Sequence, residues 1–384
     1  MPATAVVIGI GSTGFGVHPG RTADDLAVQA VEAALVDAGL AAHDLDGLIT
    51  QRVSSYETIA ARLGISPAFS LQVPAEGRMT GPAIALAARA VEAGECTAVV
   101  LAYGNDSRSG GHTYGGLGAT SSVAAEGYGS HPELHRAYGL TSPGAFYALM
   151  LQRYEAEFGS ASAALETIAV TFRDHAIRNP GAAMSVPLTP EEYRASRAIV
   201  RPMRLHDYCM INDGGVAMVV TTAERAADLP GVAVQIAGWG QQSRLASSDL
   251  PPADYWRTAA RAAHERAHRM AGTTVDDLDV AMIYDNFSPN VLFTLEGMGV
   301  CGPGEAADWV VDQGVGTDAP LPLNTAGGHL SEGYMQGWAL NVEAVRQVRG
   351  DAVARPARPA RLVAYAATAP VSSTILYRRS GEGR

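Results

Sequence analysis

One stretch of this chain occurs twice. The segment AVQAVEAALVDAGLAAHDLDGLI, from Ala27 to Ile49, returns in altered form 233 positions later, without a gap, in a segment whose core runs from Ala260 to Met282. Ala27, Ala30, Glu32, Ala34, Ala38, Gly39, Asp44, Leu45 and Asp46 meet Ala260, Ala263, Glu265, Ala267, Ala271, Gly272, Asp277, Leu278 and Asp279. Each copy reads as a small-residue helix closed by a glycine, an Asp-Leu-Asp turn and an apolar strand. An apolar strand precedes each (AVVIGIG, VAVQIAGWG). A further helix and strand follow each: GPAIALAARAVEAGE with CTAVVLAYG, and GWALNVEAVRQVRG with ARLVAYAAT. A duplicated βαβαβ unit predicts an α/β protein of two halves, 1–228 and 229–384, packed with layered sheets. The alanines fit close helix approach, and equally fit helix propensity alone.

Between the halves, Asn105 to about Ile199 matches neither copy. It opens on SGGHTYGGLGATSSVAAEGYGS and continues through AFYALMLQRYEAEFG to a capped helix start at Thr189-Pro190-Glu191-Glu192. The segment reads as an inserted loop domain covering the site, or equally as a flexible lid or a partner surface.

Composition removes whole reaction classes. All 28 basic residues are arginine. Schiff-base aldolase chemistry, pyridoxal phosphate linkage and the P-loop lysine are excluded, because each needs a lysine amine. A net charge of −11 with no basic stripe argues against nucleic acid and anionic membrane surfaces as partners. No apolar run approaches the roughly 20 residues of a spanning helix, and no basic segment precedes the first apolar one, so a soluble cytoplasmic protein is expected. Cys96, Cys209 and Cys301 show neither CxxC spacing nor a disulfide framework, which suits a reducing compartment.

Two motifs fail in context. Gly9-Ile10-Gly11-Ser12-Thr13-Gly14 fits GxGxxG after a strand, but Pro19 and Gly20 intervene before the helix, which begins near Thr22 with a Thr22-x-x-Asp25 capping pattern. His264-Glu265-Arg266-Ala267-His268 fits HExxH, yet no third ligand follows, and the other copy of the repeat lacks both histidines. No metal site is expected.

The duplicated core, with YDNFS ending one strand, NTAGGHLSEGY opening a late helix, and the stretches SRAIVRPMRLHDYCMINDGGVAMVV and VRQVRG, resembles the thiolase superfamily. The match runs nearly end to end and is to the sterol carrier protein X type, the lipid-transfer thiolases. It implies the thiolase fold, two βαβαβ halves in a five-layer αβαβα arrangement. The family's nucleophilic cysteine has no counterpart, since Arg78 stands near its place and no cysteine lies between Val73 and Gly81. The family's glycine-histidine-proline motif reads Gly333-Tyr334-Met335, and its His-Asp-x-Phe motif reads Tyr284-Asp285-Asn286-Phe287. The late acid/base cysteine is missing from LVAYAATAPVSS as well.

These departures resemble the steroid side-chain-cleaving aldolases. That resemblance implies retro-aldol cleavage of a β-hydroxyacyl-CoA bearing a tertiary hydroxyl at steroid carbon 17, giving a 17-ketosteroid and propionyl-CoA. It implies a homodimeric core joined to an acyl-CoA-binding partner with an OB fold and a zinc ribbon, in an α2β2 assembly. No cofactor is expected in this chain; zinc belongs to the partner and CoA to the substrate.

A retro-aldol cleavage needs a base for the β-hydroxyl proton, donors for the enolate oxygen and an acid for the carbon left behind. A free phenol, with a pKa near 10, costs about 4 kcal/mol to ionise at pH 7. Tyr334 is expected directly before a helix, whose N-terminus favours an anion, so it is assigned as base and Tyr284 as proton donor, with the reverse nearly as well supported. His329, Ser331, Asn324 and Gly328 share the glycine-rich loop and are candidates to position the thioester, or serve the loop's own hydrogen bonds. Asp285 orients Tyr284 or caps the strand end. Arg78, at a helix start, suits a nearby carboxylate or CoA phosphate. Two rival readings stay open: a non-catalytic acyl-CoA- or lipid-binding subunit, and a thiolase or acyltransferase using Cys209 or Cys301.

Overall fold

The computed structural model describes residues 3–113, 142–243, 256–368 and 371–381. Its strands are β1 (Ala5–Ser12), β2 (Gly47–Gln51), β3 (Phe69–Val73), β4 (Ala98–Asn105), β5 (Ala198–Val200), β6 (Met203–Arg204), β7 (Gly214–Thr222), β8 (Val234–Ser243), β9 (Val280–Ile283), β10 (Leu362–Ala367) and β11 (Val371–Arg379). Strands β5 and β6 form a small separate sheet; the other nine run in the order β3-β2-β4-β7-β1-β8-β11-β10-β9. The repeat is legible in that order, because β1-β7-β4-β2 reads outward from the seam as β8-β11-β10-β9 does on the other side. The seam is narrow: β1 and β8 pair only through Val6 with Gln235 and Val7 with Val234. The counterpart of β3 is reduced to a single parallel bridge between Ala281 and Leu323.

Alternating side chains give each half-sheet two buried faces. On β1, Val6 and Ile8 pack outward against the Ala23–Ala38 helix, while Val7 points inward. The inward faces of both halves meet the helices Thr80–Ala93 and Trp338–Arg349 in one shared core. The helices Arg257–Ala271 and Ser288–Met298 cover the outer face of the second half. The layers therefore run helix, sheet, helix pair, sheet, helix.

The alanines of the repeat are there for close approach. A Cβ on Gly9 would fall 2.2 Å from the Ala34 carbonyl oxygen, and one on Gly11 would fall 2.1 Å from that of Ala30. In the second half Gly238 and Gly240 stand against Ala267 and Ala263 at 2.2 and 1.7 Å. The GxG of each first strand thus seats a helix backbone directly on the sheet, and has no need of a nucleotide. Gly240→Ala is expected to lower unfolding free energy by about 3 kcal/mol through overpacking, measured by urea denaturation.

The local signals expected from sequence are present. Thr22 and Thr189 form capping boxes with Asp25 and Glu192, and Gly39 and Gly272 end their helices in the left-handed conformation. His264 and His268 do share a helix face, with ring centroids 4.3 Å apart. Burial holds His264 down at about 3, His268 is bonded to Thr273, and no group of three or more His, Cys, Asp or Glu able to hold a metal occurs among the described residues. The pair packs as neutral side chains. No helix among the described residues is long and apolar enough to cross a membrane.

Most of the glycine-rich opening of the insertion, residues 114–141, lies outside the described residues. Of its helical remainder, Pro143–Phe158, Ser162–Arg178 and Pro190–Ala195, the second packs beneath the late glycine-rich loop. Arg173 Nε donates to Ser331 Oγ at 3.0 Å, and His175 Nδ1 meets the Asn324 carbonyl at 3.1 Å. Asn179 donates to the Glu332 carboxylate at 3.1 Å, and the Ala183 amide donates to the Glu332 carbonyl at 2.7 Å.

Candidate active site

Strand β9 ends at Ile283, and the next residue, Tyr284, keeps the pairing one step further through its amide to the Ala366 carbonyl at 2.9 Å. Asn290, in the following helix, donates to the Tyr284 carbonyl at 2.8 Å, so the backbone of this tyrosine is fixed from both sides. Tyr334 comes from the glycine-rich loop, and its amide donates to Asn212 Oδ1 at 2.7 Å. The two phenol oxygens meet at 2.9 Å across a separation of fifty residues. Tyr284 is 6% exposed; Tyr334 is half-buried.

The helix expected directly after Tyr334 begins later. Met335, Gln336 and Gly337 intervene before the helix Trp338–Arg349, and the Gly337 amide donates to His329 Nε2 at 2.9 Å. Positive φ at Gln336 and Gly337, 50° and 94°, turns the chain between phenol and helix. The helix-terminus argument for an anionic Tyr334 therefore loses its premise.

The glycines of GGHLSEGYMQGW answer to protein neighbours. A Cβ on Gly328 would lie 2.2 Å from Asp285 Oδ2, one on Gly333 2.9 Å from Phe15, and one on Gly337 2.4 Å from the Tyr365 hydroxyl. Asp285 is wholly buried and accepts the amides of His329 and Leu330 at 2.8 and 3.3 Å, so it caps the short Gly328–Ser331 turn. Asn324, at φ 44°, clamps Ile283 with both ends of its amide, accepting at 2.7 Å and donating at 2.8 Å. Ser331 is buried against Arg173. His329 is fully buried and packs against both tyrosine rings. The structure thus gathers Asp285, Asn324, Gly328, His329 and Ser331 around the tyrosine pair, with the polar atoms described above spent on the loop itself.

Electrostatics follow burial. Asp285 is pushed up to about 7 by burial, with amide hydrogen bonds opposing, and His329 is pushed down to about 3 by burial. Their 3.4 Å contact near neutral pH is therefore made by an uncharged imidazole. Glu332 is pushed up to about 8 by burial and the neighbouring Glu343.

Arg78 sits in the turn Gly77–Met79 ahead of the Thr80–Ala93 helix and ion-pairs with Glu76. The same turn holds a residue that sequence reasoning missed: a Cβ on Gly77 would fall 1.9 Å from the Tyr284 hydroxyl oxygen. The phenol fills the space in front of this loop. Gln51 holds this loop by donating to the Pro74 and Glu76 carbonyls at 2.7 and 2.8 Å, and Gln336 donates to Ala75 at 3.1 Å. Gln51, Gly77, Asn212 and Gln336 lie on segments far apart in the chain, and no spacing rule links them. Gly77→Ala is expected to displace Tyr284 and lower turnover about 100-fold while the far-ultraviolet spectrum stays unchanged.

Two thiols can be set aside as nucleophiles. Burial and nearby carboxylates push Cys96 and Cys301 up to about 12, so neither supplies a thiolate near neutral pH.

A layered α/β core of two like halves, with a hydrogen-bonded tyrosine pair at its late glycine-rich loop, defines the class of protein. The chain belongs to the thiolase superfamily, among the sterol-carrier-protein-thiolase-like proteins related to the steroid side-chain-cleaving aldolases. It is 35% identical to the "Steroid side-chain-cleaving aldolase" of Thermomonospora curvata, over 98% of each chain. It is 34% identical to the "17-hydroxy-3-oxo-4-pregnene-20-carboxyl-CoA lyase" of Mycobacterium tuberculosis, over 97% of this chain and 98% of that one. The solved "Ltp2-ChsH2(DUF35) aldolase" superposes with a TM-score of 0.90 at 33% identity, over 100% of this chain and 99% of that one. Residues 244–375 match the family model described as "Thiolase C-terminal domain-like". Human mitochondrial 3-ketoacyl-CoA thiolase, at 14% identity and a TM-score of 0.72, shares the fold.

Proposed function

We propose that this protein is an aldolase that cleaves a steroid side-chain β-hydroxyacyl-CoA by a retro-aldol step, releasing a 17-ketosteroid and propionyl-CoA. The observation that carries this reading is the 2.9 Å contact between the Tyr284 and Tyr334 hydroxyls. The likeness to the two curated enzymes, each over nearly its whole length, supports the substrate class.

The tyrosine pair closes the proton balance. Tyr334, the more exposed phenol, acts as its phenolate and takes the proton of the tertiary hydroxyl. The oxygen's electrons form the ketone as the carbon–carbon bond breaks, and the bonding pair becomes the thioester enolate. Tyr284 then protonates the enolate carbon, giving propionyl-CoA, and is left as the phenolate. A proton crossing from Tyr334 to Tyr284 through their hydrogen bond restores the starting state. One negative charge is held by the pair before and after. Without any lysine the iminium route is closed, so enolate stabilisation falls to hydrogen-bond donors.

His329, Asp285, Asn324, Gly328 and Ser331 support this site by fixing the loop that carries Tyr334, and Arg78 stands at its rim for an anionic group of the substrate. The finer assembly belongs to the same proposal: a homodimeric core, an acyl-CoA-binding OB-fold and zinc-ribbon partner, an α2β2 complex, and a cytoplasmic setting. The test is coexpression with such a partner and an assay for propionyl-CoA release from a tertiary β-hydroxyacyl-CoA. Release is expected; no release from any steroid acyl-CoA overturns the activity. Mass spectrometry after incubation with acyl-CoA is expected to find no thioester on Cys209 or Cys301, and an adduct there would favour acyl transfer instead.

A further inference from the structure

We infer that His329 is a positioning residue for the tyrosine pair: a buried imidazole that sets the approach of the two phenols and never meets the substrate. This rests on the two-tyrosine reading of the site. Its ring centroid lies 4.6 Å from that of Tyr284 and 5.1 Å from that of Tyr334, with interplanar angles of 79° and 77°. The phenol rings themselves are 6.4 Å apart at 79°. Each ring thus meets the other two edge to face, an arrangement aromatic quadrupoles favour. His329 is fully buried, so a ligand reaches it only by displacing the protein around it.

One end of the imidazole is anchored by a hydrogen bond, and the other faces a carboxylate without making one. Nε2 accepts the Gly337 amide at 2.9 Å, which assigns the proton of the neutral ring to Nδ1. Nδ1 faces Asp285 Oδ1 at 3.4 Å, and Asp285 in turn accepts the amides of His329 and Leu330. The residue that bonds Nε2 lies three positions after Tyr334, and the carboxylate that Nδ1 faces comes immediately after Tyr284. A single ring therefore ties together two chain segments whose hydroxyls must meet. Because burial keeps that ring neutral, it acts through geometry and adds no cation beside the phenols.

The experiment compares His329→Phe, which keeps a ring but has no acceptor for Gly337, with His329→Gln, which keeps an acceptor but has no ring. Cleavage is measured for kcat and KM. Phenol ionisation is followed without substrate by ultraviolet difference titration, with Tyr284→Phe as the reference that isolates the pair. The Phe variant is expected to lose about 10- to 100-fold in kcat with KM within about twofold, and to shift the titration of the pair. The Gln variant is expected to fall between it and the wild type in both. A rise in KM at unchanged kcat, or one titration curve for all three proteins, overturns the assignment. Should the Phe variant not fold, a Gln variant with wild-type kcat and titration overturns it equally. If the wild type itself cleaves nothing, the titration still reads the role of His329, and the two failures are told apart.

Discussion

Tyr284→Phe and Tyr334→Phe are each expected to lower cleavage by about 100- to 10,000-fold, the range a positioned acid or base contributes. The substitution removes one oxygen and leaves the ring, so packing against His329 survives and the loss reads the hydroxyl. The two variants should differ in a second assay, exchange of the α-protons of propionyl-CoA, which needs the group next to the enolate carbon. Loss of exchange in Tyr284→Phe with retention in Tyr334→Phe supports the roles given above, and the opposite result reverses them. The double variant should be no worse than the poorer single one, because two groups that share a proton act as a unit. Full activity in both single variants would remove the tyrosine mechanism altogether.

Glu332→Gln is expected to stabilise the protein in alkali and to leave it unchanged in acid. The carboxyl is fully buried and held at about 8, above the ordinary 4.5. Between those values the folded chain keeps a proton that the unfolded chain has lost. Wild-type stability therefore falls as pH rises from about 4.5 to 8, and the penalty is complete above that. An amide removes the titration while keeping an acceptor for Asn179. The gain over wild type should be near zero at pH 4.5 and reach about 2–5 kcal/mol above pH 8. Urea denaturation of both proteins across that window measures the difference. The shift of His329 is common to both proteins and cancels, whereas Glu343 and Asp285 feel the Glu332 charge only in the wild type and add to the measured difference. A gain independent of pH would mean that Glu332 is ionised throughout.

The fold was largely legible because its signals are local and periodic. Thr22 with Asp25, the glycines Gly39 and Gly272, and the apolar runs of β1, β2, β8 and β9 each report a backbone state within a few residues. The duplication then linked distant segments through likeness, and in that way foretold two halves of one plan, though not their strand order. The site was legible in part. Tyr284 and Tyr334 stood out because the residue type was unexpected at motifs whose surroundings were kept. The start of the late helix was misjudged, since positive φ at Gln336, a residue without special preference for it, leaves no composition signal.

The sequence by itself determined the two-fold plan, the absence of amine chemistry and the identity of the two phenols. Each follows from residue type or short-range order, which the chain carries whatever its folded shape. Only the tertiary structure decided that the phenols touch, that Gly77 leaves room for Tyr284, that Asn212 holds Tyr334 and that His329 is buried against both rings. These contacts join segments up to two hundred residues and more apart. Their geometry is set by how closely segments distant in the chain pack, which glycines such as Gly77 beside Tyr284 and Gly337 beside Tyr365 permit and no local pattern can specify.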